Sequence, residues 1–236
     1  MSEFKTVFHK SIEQTSEVCT FIFKAPDKFD FIPGQFVQII FDEENRSNKD
    51  LNKYISLSCA PGKEFIEITK KMTDSLFSQR LRSLKTDDQV LIKGPMGTCT
   101  YKKDSGKIGY LVGGIGITPV ISILEYIAMN NIECDIQLFY GNWSEKQIAF
   151  KNDIDRWERE SIKNLKVTHV IAEPEEGSSL IKGFINEDIV KQYMPDYKDR
   201  KICIFGPPKM VAAIKDVCIN IGCNKDNIEV ENFVGY

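Results

Sequence analysis

The sequence predicts two domains: an antiparallel β-barrel over residues 1–103, followed by a doubly wound α/β domain with a five-stranded parallel sheet over residues 108–236. Up to about residue 101 the apolar residues come in short alternating runs separated by Pro, Gly, Asp and Asn, which is typical of small antiparallel folds. After the polar stretch 102–107, fully apolar strand-like runs alternate with longer amphipathic segments. That alternation requires right-handed crossovers and therefore a parallel sheet covered on both faces.

The composition limits the class of partner. The chain has 236 residues, of which 42% are hydrophobic, and this excludes disorder, collagen-like repetition and a disulfide miniprotein. Its 31 basic and 34 acidic residues give a net charge of -3, which lacks the basic excess of a dedicated nucleic-acid binder. Seven scattered cysteines and the lack of an apolar run of about eighteen residues lead us to expect a cytoplasmic protein without a membrane span.

In the first half, the pattern predicts five strands and one helix. The helix is predicted over Leu76–Leu84, because Leu76, Phe77, Leu81 and Leu84 have helical spacing. The strands are predicted at Thr6–Phe8, Cys19–Phe23, Phe36–Phe41, Phe65–Ile68 and Val90–Ile92.

In the second half, five strands alternate with four helices. The predicted strands are Ile108–Val112, Cys134–Tyr140, Val167–Ile171, Lys201–Phe205 and Ile228–Glu231. The predicted helices are Pro119–Met129, Glu145–Glu160, Glu187–Tyr193 and Pro207–Ile221. Helix starts are indicated by Thr118 before Pro119, by a capping box of Ser144 with Gln147, and by Asn186 before two acidic residues.

Three turns rich in small residues follow strands of the predicted parallel sheet. Strand Ile108–Val112 runs through glycines 113, 114 and 116 directly into a helix, Gly141 ends the second strand, and Gly206 ends the fourth. Glycines bring backbone amides close to a ligand, and a helix N-terminus favours a pyrophosphate. Since ligands of open α/β sheets bind at the carboxyl ends of strands, the three turns predict a dinucleotide site, although one such turn alone is also consistent with a structural role.

No metal site is predicted. Cys218 and Cys223 match the first step of an iron-sulfur spacing, but the third ligand position is Asp226. We interpret both cysteines as small apolar residues on a helix and the turn after it. His9 and His169 each stand alone in a strand-like run.

Taken in order, these motifs resemble those of the ferredoxin-NADP reductase superfamily along nearly the whole chain. Val112–Pro119 is similar to the family's VGGxGxxP turn, Tyr140-Gly141-Asn142 to its YGN, and Gly206–Met210 to its GPPxM. The resemblance implies that the second domain binds NAD(P)H. The residues implied to contact the coenzyme are Gly114, Gly116, Ile117, Thr118, Pro119, Tyr140, Gly141, Asn142, Glu173, Gly206, Pro207 and Met210.

The first half resembles the family's FAD-binding barrel. Pro33–Phe36 is similar to its PGQF, Gly94–Gly97 to its GPxG, and Lys53–Ser56 to its Arg-x-Tyr-Ser motif, while Ser75–Leu81 stands at the start of the pyrophosphate helix. The resemblance implies FAD binding by Lys53, Tyr54, Ile55, Ser56, Ile68, Lys70, Leu76, Phe77 and Ser78. It further implies that Ser56 bonds flavin N5 and that Phe233 or Tyr236 covers the ring, with core filling as the alternative for Phe233.

The chain departs from the family pattern at three positions. Lys53 replaces the arginine that binds pyrophosphate bidentately, so the positive charge is kept but the two-pronged guanidinium geometry is lost. Ile55 replaces the tyrosine that stacks on the flavin, and the neighbouring Tyr54 points to the opposite face of its strand. Phe205 replaces a cysteine near the nicotinamide. The aliphatic replacement resembles electron-transfer subunits such as those of dihydroorotate dehydrogenase, without their cysteine cluster for an iron-sulfur centre.

The resemblance therefore implies an FAD-dependent NAD(P)H oxidoreductase that passes electrons to a small protein such as ferredoxin or flavodoxin. NADH is favoured, because clustered carboxylates at Glu173, Glu175 and Glu176 would repel a 2′-phosphate, unless Lys182 folds back. Two alternatives remain: an electron-input (diaphorase) subunit of a larger redox complex, and a redox-silent nucleotide-binding module. Lys70, Lys71, Arg80, Arg82, Lys102 and Lys103 form a candidate basic patch for an acidic acceptor, or are simply solvated surface.

Overall fold

The computed structural model describes residues 2–27, 29–103 and 106–233. The chain forms two compact units. The first consists of Met1–Tyr101 together with Thr118–Tyr126, and the second of Lys102–Ile117 together with Ile127–Tyr236. Among the described residues, no helix has both the length and the apolar character required to cross a membrane.

A nearly closed antiparallel barrel of six strands forms the first unit, which confirms the predicted fold. The sheet order is β4-β3-β6-β1-β2-β5, and a bridge between Leu57 and Ile68 joins the chain after β4 to β5. The strands are β1 Ser2–Glu13, β2 Val18–Lys24, β3 Phe36–Ile40, β4 Asn52–Ser56, β5 Phe65–Lys71 and β6 Gln89–Met96. The sequence pattern missed β4, since this strand holds only two large apolar residues.

The barrel core follows from the alternation of inward-facing side chains. Val37 pairs with Ile55 across β3 and β4, and Phe21 pairs with Ile68 across β2 and β5; all four side chains are buried in one apolar cluster. Helix α1 (Leu76–Arg82) adds the buried Phe77 to this cluster. This helix ends two residues before its predicted limit.

The second unit contains a parallel sheet of six strands in the order β10-β9-β8-β7-β11-β12. The strands are β7 Lys107–Gly113, β8 Asp135–Asn142, β9 Asn164–Ile171, β10 Ile181–Lys182, β11 Lys201–Gly206 and β12 Ile228–Asn232. Five of them were predicted, and the two-residue β10 is too short to leave a periodic signal. The strand order reverses between β7 and β11, where a doubly wound sheet opens a crevice for ligands.

Four helices accompany these strands: α2 Thr118–Met129, α3 Lys151–Arg156, α4 Glu187–Tyr193 and α5 Pro208–Asn220. Asn186 caps α4 as predicted, because its side chain accepts a hydrogen bond from the Ile189 N–H at 3.0 Å. Buried side chains of α4 and α5 share one apolar cluster with strand residues such as Leu111 and Ile204, so both helices cover the same face of the sheet.

The continuous helix predicted over Glu145–Glu160 is wrong. A short 3-10 turn at Glu145–Gln147 is separated from α3 by Phe150, which has a left-handed backbone (φ 58°), and the helix then ends in a π turn at Trp157–Ser161. Ser144 makes no capping hydrogen bond, so the predicted capping box is also wrong. The periodicity continues because Ile148, Ile154 and Trp157 are all buried, although the backbone between them is irregular.

Candidate functional site

The turn after β7 is the first part of the dinucleotide edge. Gly114–Ile117 forms a 3-10 turn that leads directly into α2, so Thr118 is the first helical residue and not a preceding cap as predicted. A Cβ on Gly116 would lie 2.4 Å from the Phe205 carbonyl oxygen, so only glycine permits this turn to pack on the end of β11. The turn therefore lies where the sequence predicted a pyrophosphate to bind, with its backbone amides at the start of a helix.

The turn after β11 lies beside it. Gly206 is buried and Pro207 is exposed before α5, whose first turn carries Met210. The sequence predicted that Met210 contacts the coenzyme, but its side chain instead lies against Gly113 and Gly206, within the space that a Cβ on either glycine would need. Met210 therefore packs between the two turns, because the glycines leave room for its thioether.

The end of β8 orders the next loop. Tyr140 is completely buried, so its side chain belongs to the core, whereas Asn142 stands at the strand end. Its side-chain amide is buried beside the Tyr140 hydroxyl, so Asn142 holds the end of the strand from within and does not present a donor at the surface. The carbonyl of Asn142 accepts from the Ala172 N–H at 3.0 Å and that of Trp143 from the Glu173 N–H at 2.8 Å, which fixes the backbone of the acidic loop.

Two exposed aromatic side chains at this edge were missed by the sequence analysis. Trp143 follows β8 and is 55% exposed, Phe184 follows β10 and is 69% exposed, and their ring centroids are 6.4 Å apart. Large exposed apolar groups at a ligand-binding edge indicate a binding surface for a flat ring. The available signal was an aromatic residue directly after Tyr140-Gly141-Asn142, but spacing alone does not show that Phe184 would lie near it.

In the barrel, three cations gather at one place. Lys70 lies on the inward face of β5 and is only 4% exposed, with its Nζ donating to the Lys71 carbonyl at 2.8 Å. Burial, followed by the like charges of Lys53 and Arg82, lowers the pKa of Lys70 to about 8. An anion would stabilise the buried ammonium of Lys70 against desolvation and against the two neighbouring cations, so this place fits a pyrophosphate. Lys53 and Lys70 were predicted to bind FAD, whereas Arg82 was predicted as part of the candidate basic patch.

The start of α1 is a cluster of hydroxyl groups. The Ser75 side chain caps the helix by accepting from the Ser78 N–H at 3.3 Å, and Thr73 Oγ1 lies 3.0 Å from Ser75 Oγ and 3.2 Å from Ser78 Oγ. Ser78 and Phe77 are completely buried, whereas Leu76 is 55% exposed. Of the three residues predicted to bind FAD in this turn, only Leu76 therefore presents its side chain to solvent.

The remaining flavin residues divide between the core and the surface. On β4, Ile55 lies in the barrel core with Ile68 of β5, so both predicted contacts are core side chains. Tyr54 faces outward, 60% exposed, with its ring 5.9 Å from that of Phe36. Ser56, predicted to bond flavin N5, is 6% exposed at the end of the strand.

Near the end of β12, Phe233 is buried, and its N–H donates to the Gly206 carbonyl at 2.9 Å. This burial agrees with the alternative of a core residue. Tyr236 lies outside the described residues.

Sequence reasoning missed Glu231, where burial raises the pKa of the carboxyl to about 7.

The residues of the predicted basic patch differ in exposure and in ion pairing. Lys70 is buried, Lys71 pairs with Glu17 at 3.0 Å, and Lys102 pairs with Glu229 at 2.6 Å. Arg80 and Arg82 are exposed on α1. The number of basic residues in the sequence is therefore larger than the number of exposed, unpaired positive charges that the structure shows for this set.

Two family matches account for most of the chain. Residues 4–101 match the family described as oxidoreductase FAD-binding domain, and residues 111–216 match the oxidoreductase NAD-binding domain. The chain belongs to the ferredoxin-NADP reductase superfamily. It is an FAD- and NAD-binding oxidoreductase of this superfamily, and the cation cluster and the glycine turns lie within the respective matched regions.

Curated relatives in the superfamily include NADH-cytochrome b5 reductase 1 of Lodderomyces elongisporus, 30% identical over 72% of this chain and 58% of the relative. NADH-cytochrome b5 reductase 1 of Aspergillus terreus is 26% identical over 95% of this chain and 80% of the relative. The cytochrome b5 reductase domain of Ulva prolifera nitrate reductase has the same fold, with a TM-score of 0.85 at 20% identity over 98% of this chain and 97% of that structure. The ferredoxin reductase in carbazole 1,9a-dioxygenase also shares the fold, with a TM-score of 0.81 at 22% identity over 98% and 69%.

Proposed function

We propose that this protein is an NADH-dependent flavoprotein reductase that transfers electrons to a small one-electron redox protein. The observation that carries the proposal is the acidic loop after β9, which begins at the same carboxyl edge as the two glycine turns. The curated relatives are named NADH-cytochrome b5 reductases, which supports both NADH and a redox-protein acceptor.

Coenzyme preference follows from the charge of that loop. Glu173 is exposed, its N–H is held by the Trp143 carbonyl, and no ion pair to its carboxylate occurs among the described residues. Lys146 pairs with Glu175 at 3.3 Å, so one nearby cation is already neutralised. A carboxylate near the adenosine ribose accepts hydrogen bonds from its hydroxyls and repels a 2′-phosphate.

Each unit contributes binding and orientation. Lys53, Lys70 and Arg82 would hold the FAD pyrophosphate, and the turns at Gly114–Ile117 and Gly206–Pro207 would hold that of NADH. Bound FAD supplies an acceptor for two electrons from reduced nicotinamide and a donor of single electrons. This transfer requires no side-chain acid or base, so the chain acts by placing the two ligands and excluding water.

The acceptor in this proposal is a small redox protein. Cytochrome b5, ferredoxin and flavodoxin are the candidates, and Arg80 on α1 is an exposed cation that would attract an acidic carrier. If the chain instead serves as the electron-input subunit of a complex, the same chemistry delivers electrons to a bound partner.

An anaerobic titration of the purified protein tests the proposal. We expect a flavin absorbance spectrum that NADH bleaches with one equivalent, and NADPH far more slowly. Reduced protein should then reduce at least one of cytochrome b5, ferredoxin and flavodoxin in stopped flow. A protein that stays colourless after incubation with FAD, or faster bleaching by NADPH, would contradict the respective part of the proposal.

A further inference from the structure

The side chain of Met210 separates the two glycine turns of the dinucleotide edge. A Cβ built on Gly113 would lie 2.1 Å from the Met210 Sδ, and one built on Gly206 would lie 2.4 Å from its Cε. Real atoms do not approach so closely, so the thioether occupies the room that these two glycines leave. One flexible side chain on α5 thus touches the ends of both β7 and β11.

Glycine at position 113 leaves room for the Met210 thioether and is not required by the backbone conformation. Gly113 is absent from the residues with positive φ, so alanine would fit its conformation. Apart from Met210, the nearest atom to the added Cβ is the Gly141 carbonyl at 3.8 Å, an ordinary contact. The distance between the turn after β7 and the turn after β11 therefore depends on the size of the Met210 side chain between them.

We propose that Met210 is an oxidation-sensitive positioning residue, whose thioether sets the spacing of the two turns and whose sulfoxide weakens dinucleotide binding. The inference rests on the dinucleotide site of the proposed function. Hydrogen peroxide transfers one oxygen to Sδ: the O–O bond breaks, an S–O bond forms, and water leaves. Sulfur loses two electrons and the peroxide gains them.

Accessibility and packing support this step. Met210 is only partly buried, whereas Met194 in the same unit is completely buried. The added oxygen makes the side chain larger and polar in a place where the glycines leave room for the thioether alone. Either the oxidised side chain leaves this place or the turns move apart; both change the spacing of the binding groups, and small displacements of such groups are costly.

The first test measures NAD⁺ affinity of the purified flavoprotein by isothermal titration calorimetry, before and after peroxide, with dithiothreitol added to reverse thiol oxidation. We expect about tenfold weaker binding after oxidation, in proportion to sulfoxide found at Met210 by peptide mass spectrometry. Methionine sulfoxide reductase should restore affinity. Met210→Leu, treated identically, should show no peroxide-dependent change. Equal loss in Met210→Leu, or no loss in oxidised wild type, would overturn the proposal.

A double-mutant cycle tests the positioning role without oxidation. Gly113→Ala should weaken NAD⁺ binding, and adding Met210→Ala should recover part of that loss, because the clash with Sδ is removed. Additive effects would overturn the proposal. If wild type binds no NAD⁺, the proposed function itself fails; if it binds but ignores every change at Met210, only this inference fails.

Discussion

At Lys70, burial and like charge act on one ammonium group, and both effects are relieved by an anion. Lys70→Met keeps the aliphatic stem and removes the charge, so we expect FAD to bind about 10- to 100-fold more weakly. Equilibrium dialysis of apoprotein with FAD measures this. Lys71→Met is the matched control, since that exposed lysine pairs with Glu17, and it should change FAD affinity little.

The same lysine predicts a pH dependence. Its pKa of about 8 means that the ammonium form dominates at neutral pH and is lost as the pH rises through that value. Because the charged form attracts the pyrophosphate, FAD affinity should fall between about pH 7 and 9. A flat profile in wild type, or an equally steep profile in Lys70→Met, would contradict the assignment.

Glu173 decides the coenzyme in our proposal, and its replacement should relax that choice. In Glu173→Ser the repulsion of a 2′-phosphate is lost, so the ratio of kcat/KM for NADH over NADPH should drop by about tenfold or more. Glu133→Ser is the control, because Glu133 is an exposed acid just before β8, at the other edge of the sheet. An unchanged ratio in Glu173→Ser would show that another group sets the preference.

At the scale of the elements, the Arg200 side chain links the amino ends of β7 and β8 by hydrogen bonds. Arg200 is 3% exposed; it bonds Asp196 at 2.7 Å, Asp135 at 2.8 Å and the Ile108 carbonyl at 3.3 Å. Arg200→Met removes these hydrogen bonds to charged groups, while Lys107 still pairs with the partly exposed Asp196 at 2.8 Å, and we expect the free energy of unfolding to fall by about 1.5–3 kcal/mol. Urea denaturation measures the loss. Arg156→Met, which removes an exposed pair with Asp153, should cost under about 1 kcal/mol.

This network also predicts acid sensitivity. Hydrogen bonds from Arg200 lower the pKa of Asp196 to about 2, below its usual value near 3.9. A depressed carboxyl pKa stabilises the fold above the unfolded value and loses that contribution as the pH falls toward 2. Wild type should therefore lose more stability than Arg200→Met between about pH 5 and 2.5, measured as the shift in urea midpoint.

The elements also show where sequence reasoning stopped. Strong periodicity located ten of the twelve strands in the described part of the chain. It missed β4, whose two large apolar residues are adjacent and do not alternate, and β10, which has only two residues. The segment 145–160 has helical spacing of buried residues, yet Phe150 adopts a left-handed backbone that no spacing rule reveals. Tertiary packing, and not local preference, determines these segments.

For the whole molecule, the order of motifs was enough to predict both folds and both cofactors. The motif residues at strand ends lie where predicted, because a parallel sheet brings its carboxyl ends to one edge. Burial could not be predicted in the same way: Ile55, Ile68, Phe77 and Tyr140 are core side chains, and Met210 is a spacer. Whether a motif side chain is buried depends on residues that are distant in sequence but close in the fold, and a motif does not encode these.

The first unit is discontinuous, which predicts the behaviour of a fragment. Ser122 of α2 donates to the Cys59 carbonyl at 2.6 Å, and Glu125 accepts from the Ala60 N–H at 2.5 Å and from Lys63 at 2.9 Å. Residues 1–103 alone lack these partners. We expect the fragment to melt at a lower temperature than the full chain and to lose amide protection at Ala60 in hydrogen exchange. Full protection there would show that the barrel closes without α2.

The aromatic pair beside Asn142 gives the molecule a built-in optical reporter. The sequence contains two tryptophans, and Trp157 is 5% exposed whereas Trp143 is 55% exposed. Light emitted by Trp143 would overlap the absorption of a reduced nicotinamide bound at the same edge. Quenching that disappears in Trp143→Phe would let coenzyme arrival be followed in real time, separately from the colour of the flavin.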